Sequence, residues 1–211
     1  MLLSGGIDSA TALYLIRKTR PVRALTFEYR GIARKEIDSA RAIAGRAGVL
    51  EQRIVRLPDL REAGDIPGFK PVGLPPSYIP VRNGIFYAFA ASYAEETGAA
   101  LIVGGHNRDD AEIFADVSSD FFRSLQKALL GGSRILRSNR LRIVRPLSRR
   151  RKPEVIRLAV SLRVPIELTW SCHRDTKEHC WNCDGCLSRR KAFASAGVRD
   201  PLSQAKLEKI T

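Results

Sequence analysis

The run Ser4-Gly5-Gly6-Ile7-Asp8-Ser9, set between the apolar residues Met1 to Leu3 and the largely apolar stretch Ser9 to Lys18, is the feature that most restricts what this chain can become. Apolar residues ahead of a double-glycine turn read as the end of a buried strand, and the stretch behind it reads as a helix. Consecutive glycines give the backbone access to positive φ and let amide N–H groups converge on an anion, and the helix N-terminus adds the positive end of its dipole. Ser4 and Ser9 can donate hydroxyl hydrogen bonds to the same phosphate oxygens. The plainer alternative is a turn in which Asp8 and Ser9 only start the helix well, and the strand-to-helix setting argues for the anion site. A Walker A loop would carry Lys and Ser/Thr after its last glycine, which this segment lacks, so γ-phosphate transfer is excluded.

The rest of the chain repeats the strand–helix alternation. Val22 to Glu28 reads as a buried strand, Ile37, Ala40, Ala44 and Ala47 mark one helix face, and Gln52 to Leu57 gives a third strand. Asn83 is placed to cap a helix that runs to Thr97 and stops at Gly98. Leu101 to Gly104, a helix from Ser118 or Ser119 to Gly131, a strand from Leu141 to Arg145, and a helix opened by Pro153 and reaching Leu162 complete the series. This alternation predicts an α/β fold with a mainly parallel sheet and helices on both faces. We expect one main domain over 1–168 and a C-terminal segment over 169–211. Between Pro58 and Pro80 the pattern lapses, and six of the eleven prolines fall there, which predicts a long loop acting as a lid or facing a substrate. Only three residues precede Ser4, where strands commonly run about 5 to 6, so a start upstream of Met1 stays open.

With 211 residues and 44% hydrophobic content the chain can bury one sizeable core. No apolar run nears the ~20 residues of a membrane span and no signal peptide is visible, so a cytoplasmic protein without a membrane partner is expected. The net charge is +14, and eleven Lys or Arg residues lie between Arg134 and Arg163 against the single acid Glu154. Such a patch suits a polyanion such as tRNA, or is a solvated surface in a chain that uses 27 Arg against 9 Lys. No aromatic residues are interleaved with it, so it offers no platform for base stacking.

All four cysteines fall within one short segment, spaced C-x7-C-x2-C-x2-C at Cys172, Cys180, Cys183 and Cys186. Clustered thiols cannot staple distant parts of a secreted scaffold, but four thiolates can close a tetrahedron around one structural Zn²⁺. An iron–sulfur cluster or a catalytic thiol are the rivals. His173 and His179 are neighbours of the cluster that a four-thiolate site does not need.

The glycine loop resembles the SGGxDS motif of PP-loop ATP pyrophosphatases. Thr169-Trp170-Ser171-Cys172, Cys180-Trp181-Asn182-Cys183-Asp184-Gly185-Cys186 and then Arg189, Arg190 and Phe193 resemble the C-terminal signature of the QueC family. Pro80-Val81-Arg82-Asn83 is similar to that family's P-x-R-N segment, and Gly105, Asn107, Asp110 and Asp116 fall where its G-x-N-x-x-D and downstream Asp stand. Lys152 matches a family lysine that opens a helix. The resemblance implies a Rossmann-like fold of the adenine nucleotide alpha hydrolase type. It further implies that ATP, Mg²⁺, ammonia and 7-carboxy-7-deazaguanine react in two adenylation steps to give the 7-nitrile. On this basis the nucleotide contacts would be Leu3, Ser4, Gly5, Gly6, Ile7, Asp8, Ser9, Ala10, Thr11, Ala12 and Leu13. Asp8, Ser9 and Lys152 would be catalytic, and Arg82, Asn83, Gly105, Asn107, Asp110 and Asp116 would bind substrate. The sequence departs from the family at Phe114-Ala115-Asp116-Val117, where a tyrosyl hydroxyl and a thiol are missing, and around Tyr29-Arg30-Gly31. A related enzyme acting on a deazaguanine base in tRNA, a zinc-stabilised nucleic-acid-binding module and a homodimer all stay open.

Overall fold

Alternating side chains along a central strand divide the protein into three layers. The structure, a computed structural model, describes residues 1–70, 72–74 and 78–203. In β1 (Arg23–Tyr29), Ala24 faces one apolar cluster while Leu25 and Phe27 face another, the period of two expected of a buried strand. Helices α1 (Ile7–Ile16), α2 (Arg34–Ala47), α7 (Lys152–Ser161) and α8 (Asp184–Ala196) pack on the first face. Helices α3 (Arg82–Thr97), α5 (Ser119–Gly132) and α6 (Arg134–Ser138) pack on the second.

All observed pairings are parallel. β1 pairs with β2 (Glu51–Leu57), with Arg23 opposite Glu51 and Tyr29 opposite Leu57, and β3 (Leu101–Val103) pairs with β4 (Arg142–Val144). Residues 1–3 join the two pairs, since Leu3 N–H donates to Leu25 O at 2.8 Å and Leu2 N–H donates to Val103 O at 2.9 Å. The spatial order is therefore β2, β1, residues 1–3, β3, β4. The chain winds outward from the N-terminal segment in both directions, so the crevice at the strands' carboxyl ends is a topological switch point, where ligands of open α/β sheets bind.

One expectation is corrected. Asn83 is not the cap of α3, because Val81 holds that position with a left-handed φ of 51°, and the Asn83 N–H is satisfied from outside the helix by Asp116 Oδ2 at 3.0 Å. The cysteine segment, turn-rich by its spacing, runs into helix at its end: Cys183 is the N-cap of α8 and Cys186 lies in its first turn. The proline-rich stretch holds one short 3₁₀ turn at Ala63–Asp65, and Tyr78 at its far end stacks on Phe114 with ring centres 6.3 Å apart; Pro71, Pro75, Pro76 and Ser77 lie outside the described residues.

Candidate functional site

A cavity of about 270 Å³ opens at the switch point, and Ser4, Asp8, Ser9, Arg82, Asn83, Gly105 and Asp110 of the expected site line it. A larger hollow of about 340 Å³ lies between α2 and the cysteine segment, but no residue of the glycine loop reaches it.

The loop is shaped without any ligand. Ser9 Oγ donates to Gly6 O at 3.0 Å and accepts from Ser4 N–H at 3.2 Å, while Ser4 Oγ accepts from Gly6 N–H at 3.3 Å. Gly5 has φ +87°, and a Cβ there would sit 2.4 Å from the Glu36 carbonyl oxygen, so only glycine fits between the loop and α2. Gly6 has an ordinary φ of −76°, so of the two glycines only the first uses positive φ. Gly105 is needed for closeness, since a Cβ there would lie 2.7 Å from the Ser9 backbone nitrogen.

Beyond Ser9 the expected nucleotide residues turn into the core. Ile7, Ala10, Ala12 and Leu13 are buried, and Thr11 donates its hydroxyl to Ile7 O at 2.6 Å. Leu3 is buried at the cavity floor. None of Ala10 to Leu13 lines the cavity.

Charged groups converge beside the loop. Lys152, at the first position of α7, forms an ion pair with Asp8, whose other oxygen accepts from Asn107 Nδ2 at 3.4 Å. Asn107 and Asp110 close a capping box at α4 (Arg108–Ile113), which fixes Asp110 towards the loop. Burial, helped by the charge of Asp8, pushes the Asp110 carboxyl up to about 6. A cation between these carboxylates would relieve that strain, so the donor set fits Mg²⁺. Asp116 is absent from the cavity lining and instead accepts at the start of α3, where it steadies the helix that carries Arg82.

The opposite wall had no motif to announce it. Phe27 and Phe86 stack with ring centres 4.0 Å apart and planes 3° from parallel, with Tyr29, Phe114, Glu36 and His106 completing the lining. Apart from Phe27 and Tyr29, which share β1, these residues come from separate elements, so no local spacing relates them. The one available signal was strand alternation, which puts Leu25, Phe27 and Tyr29 on one face. Burial pushes the Glu36 carboxyl up to about 7 against the opposing pull of Arg82. Burial first, then Arg82 and Arg145, hold His106 down to about 4, so its imidazole is neutral, and its Nε2 has no hydrogen-bond partner among the described residues.

In the second centre the four cysteine sulfurs lie within 4.8 Å of one another. Cys180 and Cys186 Sγ are 3.9 Å apart, as are Cys172 and Cys183 Sγ, too far for a disulfide bond and near the ~3.8 Å edge of a tetrahedron with Zn–S bonds of ~2.3 Å. Backbone N–H donors, that of Asn182 first, lower the Cys180 thiol to about 6, which suits a thiolate ligand. His179 is not needed as a ligand and accepts from Ser171 N–H at 3.1 Å instead. Four converging thiols fit a zinc ion, whereas a cubane cluster would spread them further by binding each to a different iron. The two centres touch through the backbone, as Trp170 N–H donates to Gly5 O at 3.0 Å.

A parallel sheet with a glycine turn at its switch point, carboxylates and a lysine around that turn, and a cluster of four cysteines at its flank make this an α/β protein of the PP-loop type of fold. The fold is shared with an NMN synthetase from Francisella tularensis, at a TM-score of 0.54 and 16% identity, covering 94% of this chain and 76% of that one. The sequence model described as "Queuosine biosynthesis protein QueC" matches residues 1–197, and the chain belongs to that family. Its relatives include the 7-cyano-7-deazaguanine synthase of Thermoplasma acidophilum, 36% identical with 98% of this chain and 91% of that protein covered. Another is that of Trichodesmium erythraeum, at 37% identity with 96% and 98% covered. Among the described residues no helix is long and apolar enough to cross a membrane.

Proposed function

We propose that this protein is an ATP-dependent carbon–nitrogen ligase that converts 7-carboxy-7-deazaguanine and ammonia into 7-cyano-7-deazaguanine, the product that its relatives' name gives. The observation that carries this assignment is the cleft lined by Ser4, Asp8 and Ser9 of the glycine loop, with Lys152 paired to Asp8 from outside its lining, and by an aromatic wall. The substrate carboxylate attacks the α-phosphorus of ATP and pyrophosphate leaves. Ammonia then displaces AMP to give the amide, whose oxygen attacks a second ATP; loss of AMP and a proton leaves the nitrile.

The chain's own groups serve these steps by position and charge, and no side-chain nucleophile is required. The loop N–H groups and the Ser4 and Ser9 hydroxyls receive the leaving pyrophosphate, an oxyanion-type contribution of about 2.7–4 kcal/mol for each donor in the transition state. Lys152 offsets the phosphate charge, and Asp8 with Asp110 would hold Mg²⁺, which neutralises charge on the phosphates when bound. Zn²⁺ on the four cysteines would be structural, since four thiolates leave no open position. In this assignment residues 1–168 carry the nucleotide and the segment from 169 holds the metal; of its expected span to 211, residues 204–211 lie outside the described residues. Incubation with ATP, Mg²⁺, ammonium and 7-carboxy-7-deazaguanine is expected to yield the nitrile with two AMP per product by mass spectrometry. AMP release without nitrile, or no turnover at all, would refute the assignment.

A second reading, in which the base is already part of tRNA, is favoured by one observation: Arg134, Arg137, Arg140, Arg142, Arg149 and Arg150 are all exposed, and the last two lie just ahead of Lys152. Tight tRNA binding that weakens steeply with salt, together with nitrile formed on tRNA rather than on the free base, would establish it.

A further inference from the structure

Glu36 is unusual among the groups that line the cleft. It projects from the first turn of α2, its carboxylate accepts no hydrogen bond from the described residues, and the charge of Arg82 bears on it across the same cavity. Arg82 also bears on the Tyr29 hydroxyl, so the three groups share one corner beside the Phe27–Phe86 stack. Glu36 is half-buried and its carboxyl lines the open cavity, and its place beside an aromatic wall suits a flat ligand that brings donors with it.

Two heteroaromatic rings enter a site of the proposed function, and their edges differ. Adenine presents an amine beside a ring nitrogen with a lone pair, which the ionised form of Glu36, the form populated above about pH 7, repels, so the discrimination belongs to that pH range. A guanine-type ring presents a carbonyl, a ring N–H and an exocyclic amine in a row, so an arginine beside a carboxylate matches all three. We propose that Glu36 and Arg82 determine ring specificity, Glu36 accepting from the ring N–H and the 2-amino group and Arg82 donating to the ring carbonyl. The five-membered ring with its carboxylate is then left free to face the loop. This inference rests on the reaction proposed above and adds the residue that selects its substrate.

The test is calorimetric binding of 7-carboxy-7-deazaguanine and of its analogue lacking the 2-amino group, with ATP affinity measured in parallel, on zinc-loaded protein. Wild type is expected to prefer the amino-bearing ring by about 10- to 100-fold, the range of one or two charge-assisted hydrogen bonds. Glu36→Gln is expected to cut that preference below about 3-fold and to leave ATP affinity within about 2-fold. Arg82→Met should weaken both rings alike, because both keep the carbonyl, which gives an independent arm if Glu36→Gln folds poorly. Unchanged preference in Glu36→Gln, a loss that falls on ATP instead, or a wild type that does not distinguish the rings would each overturn the assignment. A wild type that discriminates between the rings yet releases no AMP would refute the proposed reaction while leaving Glu36 as the reader of the ring.

Discussion

The phosphate loop and the cysteine segment are both short motifs, yet the fold holds them in opposite ways. The loop is wedged by Gly5 against α2, threaded by the Ser4 and Ser9 hydroxyls, and braced by the Asp8–Lys152 pair, so its shape exists before any nucleotide arrives. The cysteine segment has no helix or strand between Leu168 and the start of α8, and two of its ligands, Cys172 and Cys180, sit on irregular backbone. One centre is preorganised by the chain, and the other brings four thiols together that could hold a metal ion. Because Trp170 N–H reaches Gly5 O, loss of the second should loosen the first.

The largest expected effect follows from that dependence. Structural zinc sites return apparent binding free energies of about 10–16 kcal/mol in small domains, much of it folding energy. Chelation, or Cys183→Ser, is expected to lower the thermal midpoint sharply and abolish turnover, with zinc restoring both in the chelated protein. Metal-free protein that keeps its midpoint and its AMP release would break the contrast between the two centres.

A smaller effect asks whether the ion alone holds the C-terminal segment. Arg189 pairs with Asp200 through two bonds of 2.6 and 2.9 Å, both residues almost fully buried, and also donates to Thr169 Oγ1 at 2.8 Å. Arg189→Met leaves Asp200 buried and unpaired, at an expected cost of about 3–5 kcal/mol. The double variant with Asp200→Leu should recover part of that loss in denaturant unfolding. A cost near zero would show that the metal carries the segment without the pair.

How much of this could be read from the chain follows the same division. The turn between strand end and helix was legible because a double glycine in a local string marks it, and the convergence of the four cysteines because they cluster in sequence. The three-layer fold was legible from alternation, down to the left-handed stop at Gly98. The start of α3 was not, because Asp116 satisfies the Asn83 N–H from 33 residues away, while Asn83 itself had the look of a local cap. Short α4 and α6 escaped because neither is long enough to show a period. The Glu36, Phe27 and Phe86 wall escaped because tertiary packing alone brings it together.

The loop side of the comparison is sharpened by Asp8→Asn, which keeps size and helix start while removing one anionic ligand. Adenylation is expected to fall by roughly two to three orders of magnitude, about 2.7–4 kcal/mol in transition-state stabilisation. Stability should change by only about 1 kcal/mol, because the loop's other bonds remain. Pyrophosphate release measured alongside thermal unfolding separates the two quantities, and near-normal turnover would remove this loop from the active site.

The smallest expected effect lies in the empty cleft and concerns preorganisation that costs stability. Glu36 rises from 4.5 to about 7 in the folded protein, chiefly through burial. A carboxyl whose folded value lies above its unfolded one contributes stability in full below the unfolded value, and that contribution is lost as pH rises through the folded one. The relevant window therefore runs from about pH 4.5 to 7, with the protein relatively less stable at its upper end. Asp110, raised from 3.8 to about 6, acts with the same sign, whereas His106, lowered from 6.5 to about 4, acts with the opposite one. Both are retained in Glu36→Gln, so the difference between wild type and variant isolates Glu36. Denaturant unfolding of zinc-loaded, ligand-free protein at pH 5 and pH 7.5 should show wild type losing about 1 kcal/mol relative to the variant across that interval, after allowance for solvent screening. A difference that stays flat would mean burial does not hold the carboxyl uncharged. A Glu36 kept ionised by Arg82 would instead leave this interval flat and show wild type losing stability relative to the variant only as pH falls below about 4.5.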